Sequence, residues 1–284
     1  MSTTWNSNDQ PKPAPMGAAA WGRVVLRGVP LAILVFGGLV SLLLVRVLEK
    51  PVHGQHRPWT PHITRFVCRA AFVVMGLRFR AIGTPMKEQG AVVANHSSWL
   101  DIFSLNARKR VYFVSKSEVA NWPGIGWLAR ATGTVFIERD PTQARAQKQV
   151  FEERLLSGHK LLFFPEGTSS DGLRILPFKS TLFAAFFTPK MREKLHVQPV
   201  SVSYDAPKDA DPRLYGWWGD MEFAPHLLQI LSVPRQGQVT VTYHSPLKVS
   251  DFANRKDLAA TCETVIRSGL KLSPAALTLL SKQH

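Results

Sequence analysis

The sequence predicts an α/β protein, a largely parallel mixed sheet flanked by helices, with membrane-associated helices at its N-terminus. Three observations lead there. From about residue 77 onward, short apolar and β-branched runs alternate with helical patterns, the arrangement that packs helices on a mostly parallel sheet. Residues 28–45 form an 18-residue stretch without a charged side chain, at the low end of the ~17–25 residues that span a bilayer. Of 284 residues, 45% are apolar and 10% aromatic, which excludes a disordered chain.

Residues 1–22 read as a disordered tail, polar and punctuated by Pro11, Pro13 and Pro15. Residues 23–76 read as membrane-anchoring helices. Pro30, Gly37 and Gly38 weaken a helix in water but are tolerated in lipid. A cleaved signal peptide and a buried core helix compete with this reading. Against the former, the run exceeds the ~7–15 residues of a signal h-region and no small-residue cleavage site follows. Lys12, Arg23 and Arg27 precede the run, whereas Arg46, Lys50, Arg57, Arg65 and Arg69 follow it. That bias favours the bulk of the chain on the cytoplasmic side. Residues 66–79 carry Arg65, Arg69, Arg78 and Arg80 at their ends. They read either as an amphipathic helix in an anionic interface or as a core helix with a solvated basic face.

Residues 77–284 read as one globular domain. Strands are expected at 77–82, 91–94, 111–115, 134–137, 160–164, 197–204 and 239–243. Helices are expected at 99–107, 124–131, 141–157 and 181–187, with Pro141 as a start and Gly158 as a stop. Residues 251–272 read as a closing amphipathic helix. The aromatic-rich stretch 215–218, with 223–231 after it, suits a lipid interface, an acyl tunnel or the core equally.

Lys plus Arg number 35 and Asp plus Glu 20, so the net charge is +15. Such a chain favours an anionic partner: nucleic acid, a membrane surface or an acidic molecule. No nucleic-acid-binding signature accompanies the charge, so the membrane or an acidic carrier is the expected partner. Cys68 and Cys262 are too few for a disulfide scaffold and form no zinc pair.

Three strand ends carry candidate chemistry. Residues 91–94 lead into Asn95-His96-Ser97-Ser98-Trp99-Leu100-Asp101, with Ser97 and Ser98 as helix N-caps. If His96 stays in the loop, Asp101 reaches back to it, fixes its tautomer and raises the basicity of its other nitrogen. Such a dyad takes a proton from a substrate hydroxyl. Residues 161–164 end in Pro165-Glu166-Gly167-Thr168, which places a carboxylate at the crevice where ligands of open α/β sheets bind. Residues 133–137 end in Glu138-Arg139, and Arg139 is a candidate for a phosphate or carboxylate. Parallel strands would bring all three ends to one edge. For each motif taken singly the bland readings are a structural histidine, an ordinary turn and a solvated strand end.

Together these blocks resemble the glycerolipid acyltransferases typified by bacterial 1-acylglycerol-3-phosphate acyltransferase. The pattern N-H-x-x-x-x-D stands here as Asn95-His96…Asp101. G-x-hydrophobic-F-I-(D/E)-R stands as Gly133 to Arg139, F-P-E-G-T as Phe164 to Thr168, and the V-P-V-like strand as Val197 to Val200. The resemblance covers roughly residues 75–205 and makes 77–284 an acyltransferase domain. It implies a transferase on the inner (cytoplasmic) membrane, its catalytic domain facing the cytoplasm. It implies no metal or other cofactor, an acyl thioester on acyl carrier protein or coenzyme A as co-substrate, and a lysolipid hydroxyl as acceptor. By resemblance His96 is the general base and Asp101 orients it. Asn95, Arg139, Glu166, Gly167 and Thr168 attend the acceptor, and Lys179 is similar to a basic position of the family.

One departure bears on the acceptor. Members that use a phosphate acceptor usually read F-P-E-G-T-R, whereas Ser169 follows Thr168 here and Asp171 comes soon after. An acid disfavours a phosphate monoester, and Asp171 suits the ammonium of a zwitterionic head group. The Ser-Ser-Asp-Gly variant resembles the lyso-ornithine lipid acyltransferases of this family. Lyso-ornithine lipid is therefore the expected acceptor, with lysophosphatidic acid as the alternative.

Overall fold

The apolar runs pair into one sheet in the computed structural model, which describes residues 5–7, 9–11, 15–138 and 144–281. Its strands are β1 (Arg78–Ile82), β2 (Gly90–Ala94), β3 (Tyr112–Lys116), β4 (Val135–Ile137), β5 (Leu161–Phe163), β6 (His196–Asp205), β7 (Gln238–Tyr243) and β8 (Leu247–Lys248). The order is β1-β7-β6-β2-β5-β3-β4, with β8 beside β6. Strands β6, β2, β5, β3 and β4 run parallel, while β7 is antiparallel to β6. The sheet is thus largely parallel and mixed, as expected. β2 is buried along its whole length, and so is β5, which is why both read as unbroken apolar runs rather than alternating ones.

Eight α-helices surround or extend the sheet among the described residues: α1 (Ala18–His53), α2 (Thr60–Met75), α3 (Asp101–Asn106), α4 (Ile125–Thr132), α5 (Ala144–Leu156), α6 (Phe223–Ser232), α7 (Arg255–Ser268) and α8 (Pro274–Ser281). The expected start at Pro141 lies outside the described residues. Gly158, in the left-handed region at φ 78°, follows α5 as expected. Residues 182–187 form a 3₁₀-helix rather than an α-helix. The 66–79 reading is corrected. Gly76, at φ 75°, turns the chain out of α2, its N–H reaching back to Phe72 and Val73, and β1 begins two residues later. Tyr215 and Trp218 are fully or almost fully buried, so they belong to the core.

The N-terminal tail is also corrected. Residues 5–7 and 9–11 lie against the catalytic domain, and α1 begins at Ala18 rather than after residue 22. Helix α1 also packs against the domain. Val24 and Leu31 share one hydrophobic cluster with Phe72, Ile230 and Leu231. Arg27 donates to the carbonyls of Leu231 (2.9 Å) and Val233 (2.6 Å) at the C-terminal end of α6, where a helix leaves acceptors unmet. At the other end, buried Glu49 accepts from Trp59 N (2.7 Å), Thr60 N (3.0 Å) and Thr60 Oγ1 (2.7 Å), capping α2. The two helices pack tightly at Gly38, where a Cβ would collide with the Val67 side chain. The opposite face of α1 exposes Leu26, Ile33, Leu44, Val47 and Leu48, each at least 65% accessible. Water would not leave such an apolar surface uncovered.

Candidate active site

Strand β2 runs out at Ala94, and the loop behind it is shaped by its own polar side chains. Asn95 is buried. Its amide donates to Val202 O (2.9 Å) and accepts from Val202 N (2.8 Å), prolonging the β2–β6 ladder by one step. The expected acceptor contact at Asn95 is therefore corrected: the side chain is consumed by β6. The N-cap reading is corrected as well. Helix α3 starts at Asp101, whose Oδ2 accepts from Ser97 N (2.8 Å) and Ser98 N (3.0 Å). The carboxylate draws the loop back over the helix start, and this carries His96 with it.

The dyad forms. His96 Nδ1 donates to Asp101 Oδ2 at 2.8 Å, with Asp101 fully buried and the imidazole 22% exposed. Nδ1 being engaged, Nε2 is the nitrogen left to face a substrate. The ring stacks on Phe164, centroids 4.1 Å apart and planes 11° apart. Its rotation is thus fixed by an apolar face on one side and a carboxylate at one edge. The other oxygen, Oδ1, accepts from the hydroxyl of buried Tyr204 at 2.8 Å, and that hydroxyl also pairs with Ser104 at 3.0 Å.

Strand β5 is β2's neighbour, so Glu166 comes out beside His96. Its Oε1 accepts from His96 N and its Oε2 from Leu176 N, both at 2.6 Å. The group is 2% exposed, and burial pushes its pKa up to about 8 against those two amide bonds. Glu166 thus clamps two loops, with both of its oxygens already bonded to backbone amides. Gly167, at φ 74°, leaves room for Lys179, whose Nζ would sit 3.0 Å from a Cβ there. Gly167 N is already bonded to Phe164 O at 3.1 Å. Thr168 Oγ1 accepts from Trp5 N at 3.3 Å.

Asp171 has a different task from the expected one. It is 2% exposed and accepts from Leu173 N (3.0 Å) and from Arg174 Nη2 (2.9 Å) and Nε (3.1 Å). A carboxylate held this way is not offered to an incoming ammonium. Arg139 lies outside the described residues. β4, which precedes it, runs parallel to β2 with β5 and β3 between them, about 14 Å away at ordinary strand spacing.

An acyltransferase family model matches residues 78–203, from β1 to within two residues of the end of β6. The chain is 58% identical over 266 residues to the lyso-ornithine lipid O-acyltransferase of Rhodobacter capsulatus, across 94% of this chain and 96% of that protein. The chain belongs to the acyltransferase family. A Brucella abortus protein of the same name is 37% identical, across 75% of this chain and 83% of its own. The 1-acyl-sn-glycerol-3-phosphate acyltransferase of Neisseria gonorrhoeae is 40% identical over 106 residues, 36% of this chain. The crystal structure of the 1-acyl-sn-glycerophosphate acyltransferase of Thermotoga maritima shares the fold, with a TM-score of 0.55 at 22% identity, across 86% of this chain and 95% of that one.

In this acyltransferase the structure brings His96, Asp101 and Glu166 together and sets Lys179 beside Gly167, whereas Tyr204 and Arg174 were not singled out in the sequence. Tyr204 ends an expected strand, so a hydroxyl facing Asp101 follows only from the β2–β6 pairing. Arg174 sits in a loop with no periodicity. Its one signal is an Asp-x-x-Arg spacing.

Proposed function

We propose that this acyltransferase moves a fatty acyl group from an acyl thioester to the free hydroxyl of lyso-ornithine lipid, giving ornithine lipid. The observation that carries the chemistry is the 2.8 Å contact between His96 and Asp101 at a partly open sheet edge. The similarity to the Rhodobacter capsulatus enzyme along nearly the whole chain supports the acceptor.

His96 Nε2 takes the hydroxyl proton as the acceptor oxygen attacks the thioester carbonyl. The C–O bond forms, the tetrahedral centre collapses, the C–S bond breaks, and His96 returns the proton to the departing thiolate. A positioned base contributes roughly 10²–10⁴-fold. Asp101 holds the ring and stabilises the imidazolium. The Gly167 amide being occupied, Lys179 Nζ is the donor placed to meet the oxyanion. The thioester is carried by acyl carrier protein or coenzyme A.

The enzyme works on the cytoplasmic face of the inner membrane, where such thioesters are made. Helix α1, about 54 Å long by its 36 residues, is tied to the domain near both ends. It therefore lies in one leaflet with its apolar face down rather than crossing.

Purified enzyme and His96→Ala, given lyso-ornithine lipid and lysophosphatidic acid in parallel, test this. Wild-type turnover of the first and none by the variant supports the reading. Turnover of lysophosphatidic acid alone establishes the alternative acceptor, and activity in His96→Ala removes the base.

A further inference from the structure

Two arginines meet at the far end of the sheet. Gly133 precedes β4 and His159 precedes β5, whereas His96 follows β2, and these strands run parallel. The edge at Gly133 and His159 is therefore opposite the catalytic one. Arg57, in the turn between α1 and α2, donates from Nη1 to Ala131 O at 2.7 Å. Its guanidinium carbon lies 3.0 Å from the place a Cβ on Gly133 would take. Arg154, near the end of α5, donates from Nη2 to Gly133 O at 2.9 Å and from Nε to His159 Nδ1 at 2.7 Å. The two cations thus flank one glycine.

Their hydrogen-bond partners are neutral. His159 is buried, and burial together with Arg154 and Arg57 lowers its pKa to about 4, so it accepts from Arg154 uncharged. Glu49 is in electrostatic reach of Arg57, but its oxygens are already shared by Trp59, Thr60 and Arg46. Among the described residues no carboxylate lies within ion-pair distance of Arg57 or Arg154. The carbonyl end of α4 offsets about half a charge, against two whole ones. Arg57 engages only Nη1, which leaves its Nε–Nη2 edge, a fork that fits two oxygens of one anion. Arg154 has Nη1 left over. Close by in the chain, Val47, Leu48 and Val52 at the end of α1 are exposed, and so is Trp59. An apolar ledge with an indole beside a cation pair has the two-part chemistry of a phospholipid, chains on one side and phosphate on the other.

We propose that Arg57 and Arg154 form a binding site for the phosphate of an acidic phospholipid head group, on the sheet edge opposite His96. A lipid held there pins the turn between α1 and α2 to the bilayer surface. The inference rests on α1 lying in a leaflet and is independent of the acceptor's identity.

The test is thermal melting of the full-length enzyme in nonionic detergent with water-soluble dihexanoyl-phosphatidylglycerol or with inorganic phosphate, beside sedimentation with phosphatidylcholine vesicles with and without phosphatidylglycerol. At about tenfold excess over Kd the soluble lipid should raise the wild-type melting temperature by about 2–4 °C. Arg57→Gln and Arg154→Gln should lose the shift, and Arg57→Lys, which keeps the charge without the fork, should show about half of it. Lys50→Gln, which removes an exposed charge from the end of α1, should keep it. Arg57→Gln should bind phosphatidylglycerol vesicles about tenfold more weakly and pure phosphatidylcholine vesicles as wild type does. A shift retained in Arg57→Gln, or lost equally in Lys50→Gln, overturns the site. An equal shift from inorganic phosphate, with vesicle binding unchanged in Arg57→Gln, overturns the lipid as its occupant. Wild type that ignores all vesicles yet melts higher with the soluble lipid overturns the leaflet reading and supports the site.

Discussion

Glu166 reaches across from the end of β5 to the main chain of His96, its Oε1 2.6 Å from the histidine nitrogen. The carboxyl of one strand therefore sets the height of the catalytic ring on the next, and its other oxygen fixes the loop at Leu176. Glutamine can accept only one of these bonds and turns a donor toward the other amide. Glu166→Gln should cost about 1–3 kcal/mol of stability, the penalty for an unmet buried amide. It should lower kcat more than acceptor KM, as steady-state kinetics and urea unfolding would read. The same group makes stability pH-dependent. Its pKa is raised by burial to about 8 from an ordinary 4.5. The contribution is fully present below about 4.5 and fades as pH rises through about 8. Wild type should lose melting temperature over that window relative to the variant.

Tyr204 supports Asp101 from beneath with a 2.8 Å bond. Tyr204→Phe keeps the ring packing and removes one donor to the carboxylate. A charge-assisted bond is worth about 1.5–3 kcal/mol, so kcat should fall about 10–150-fold with acceptor KM unchanged and the pH–rate profile displaced. An unaltered profile and kcat would mean that Tyr204 only fills space.

His226 is buried neutral, with Nδ1 accepting from Trp99 Nε1 (3.0 Å) and Nε2 donating to Leu214 O (3.1 Å). Protonation would set donor against donor, in keeping with a pKa lowered by burial to about 4. A depressed histidine contributes stability above its unfolded value of about 6.5 and loses it as pH falls through about 4. Thermal melts should show that acid limb flattened in His226→Gln, whose amide offers one acceptor and one donor without titrating.

The exposed face of α1 should bind lipid through area alone. Leu26, Ile33 and Leu44 changed together to Ser should weaken sedimentation with anionic vesicles by several orders of magnitude, at about 1.5–3 kcal/mol for each buried side chain. Circular dichroism and melting temperature should hold, because all three point away from the domain.

Legibility followed the range of the interactions involved. Seven expected strands and the fold class stand because a buried strand declares itself locally. His96 and Asp101 stand because a five-residue separation is short enough for one loop to close. The tail was misread because polar, proline-rich composition says nothing of a distant indole or arginine that will hold it. Gly37 and Gly38 read as lipid tolerance, while Gly38 also serves as the seat of Val67.

Sequence alone determined the strand–helix alternation, the apolar N-terminal helix, the histidine with its carboxylate and the acyltransferase resemblance, all properties of neighbouring residues. Tertiary structure decided what each carboxyl does. Asp101, Glu166 and Asp171 are one chemical type near one edge, yet one orients a ring, one clamps two loops and one holds an arginine. For Asp101 and Glu166 those roles depend on which donors the β2–β6 and β2–β5 pairings bring within 3 Å or so, whereas Asp171 is held by its own loop neighbours. Such partners lie up to 103 residues apart in the chain, beyond anything local patterning encodes.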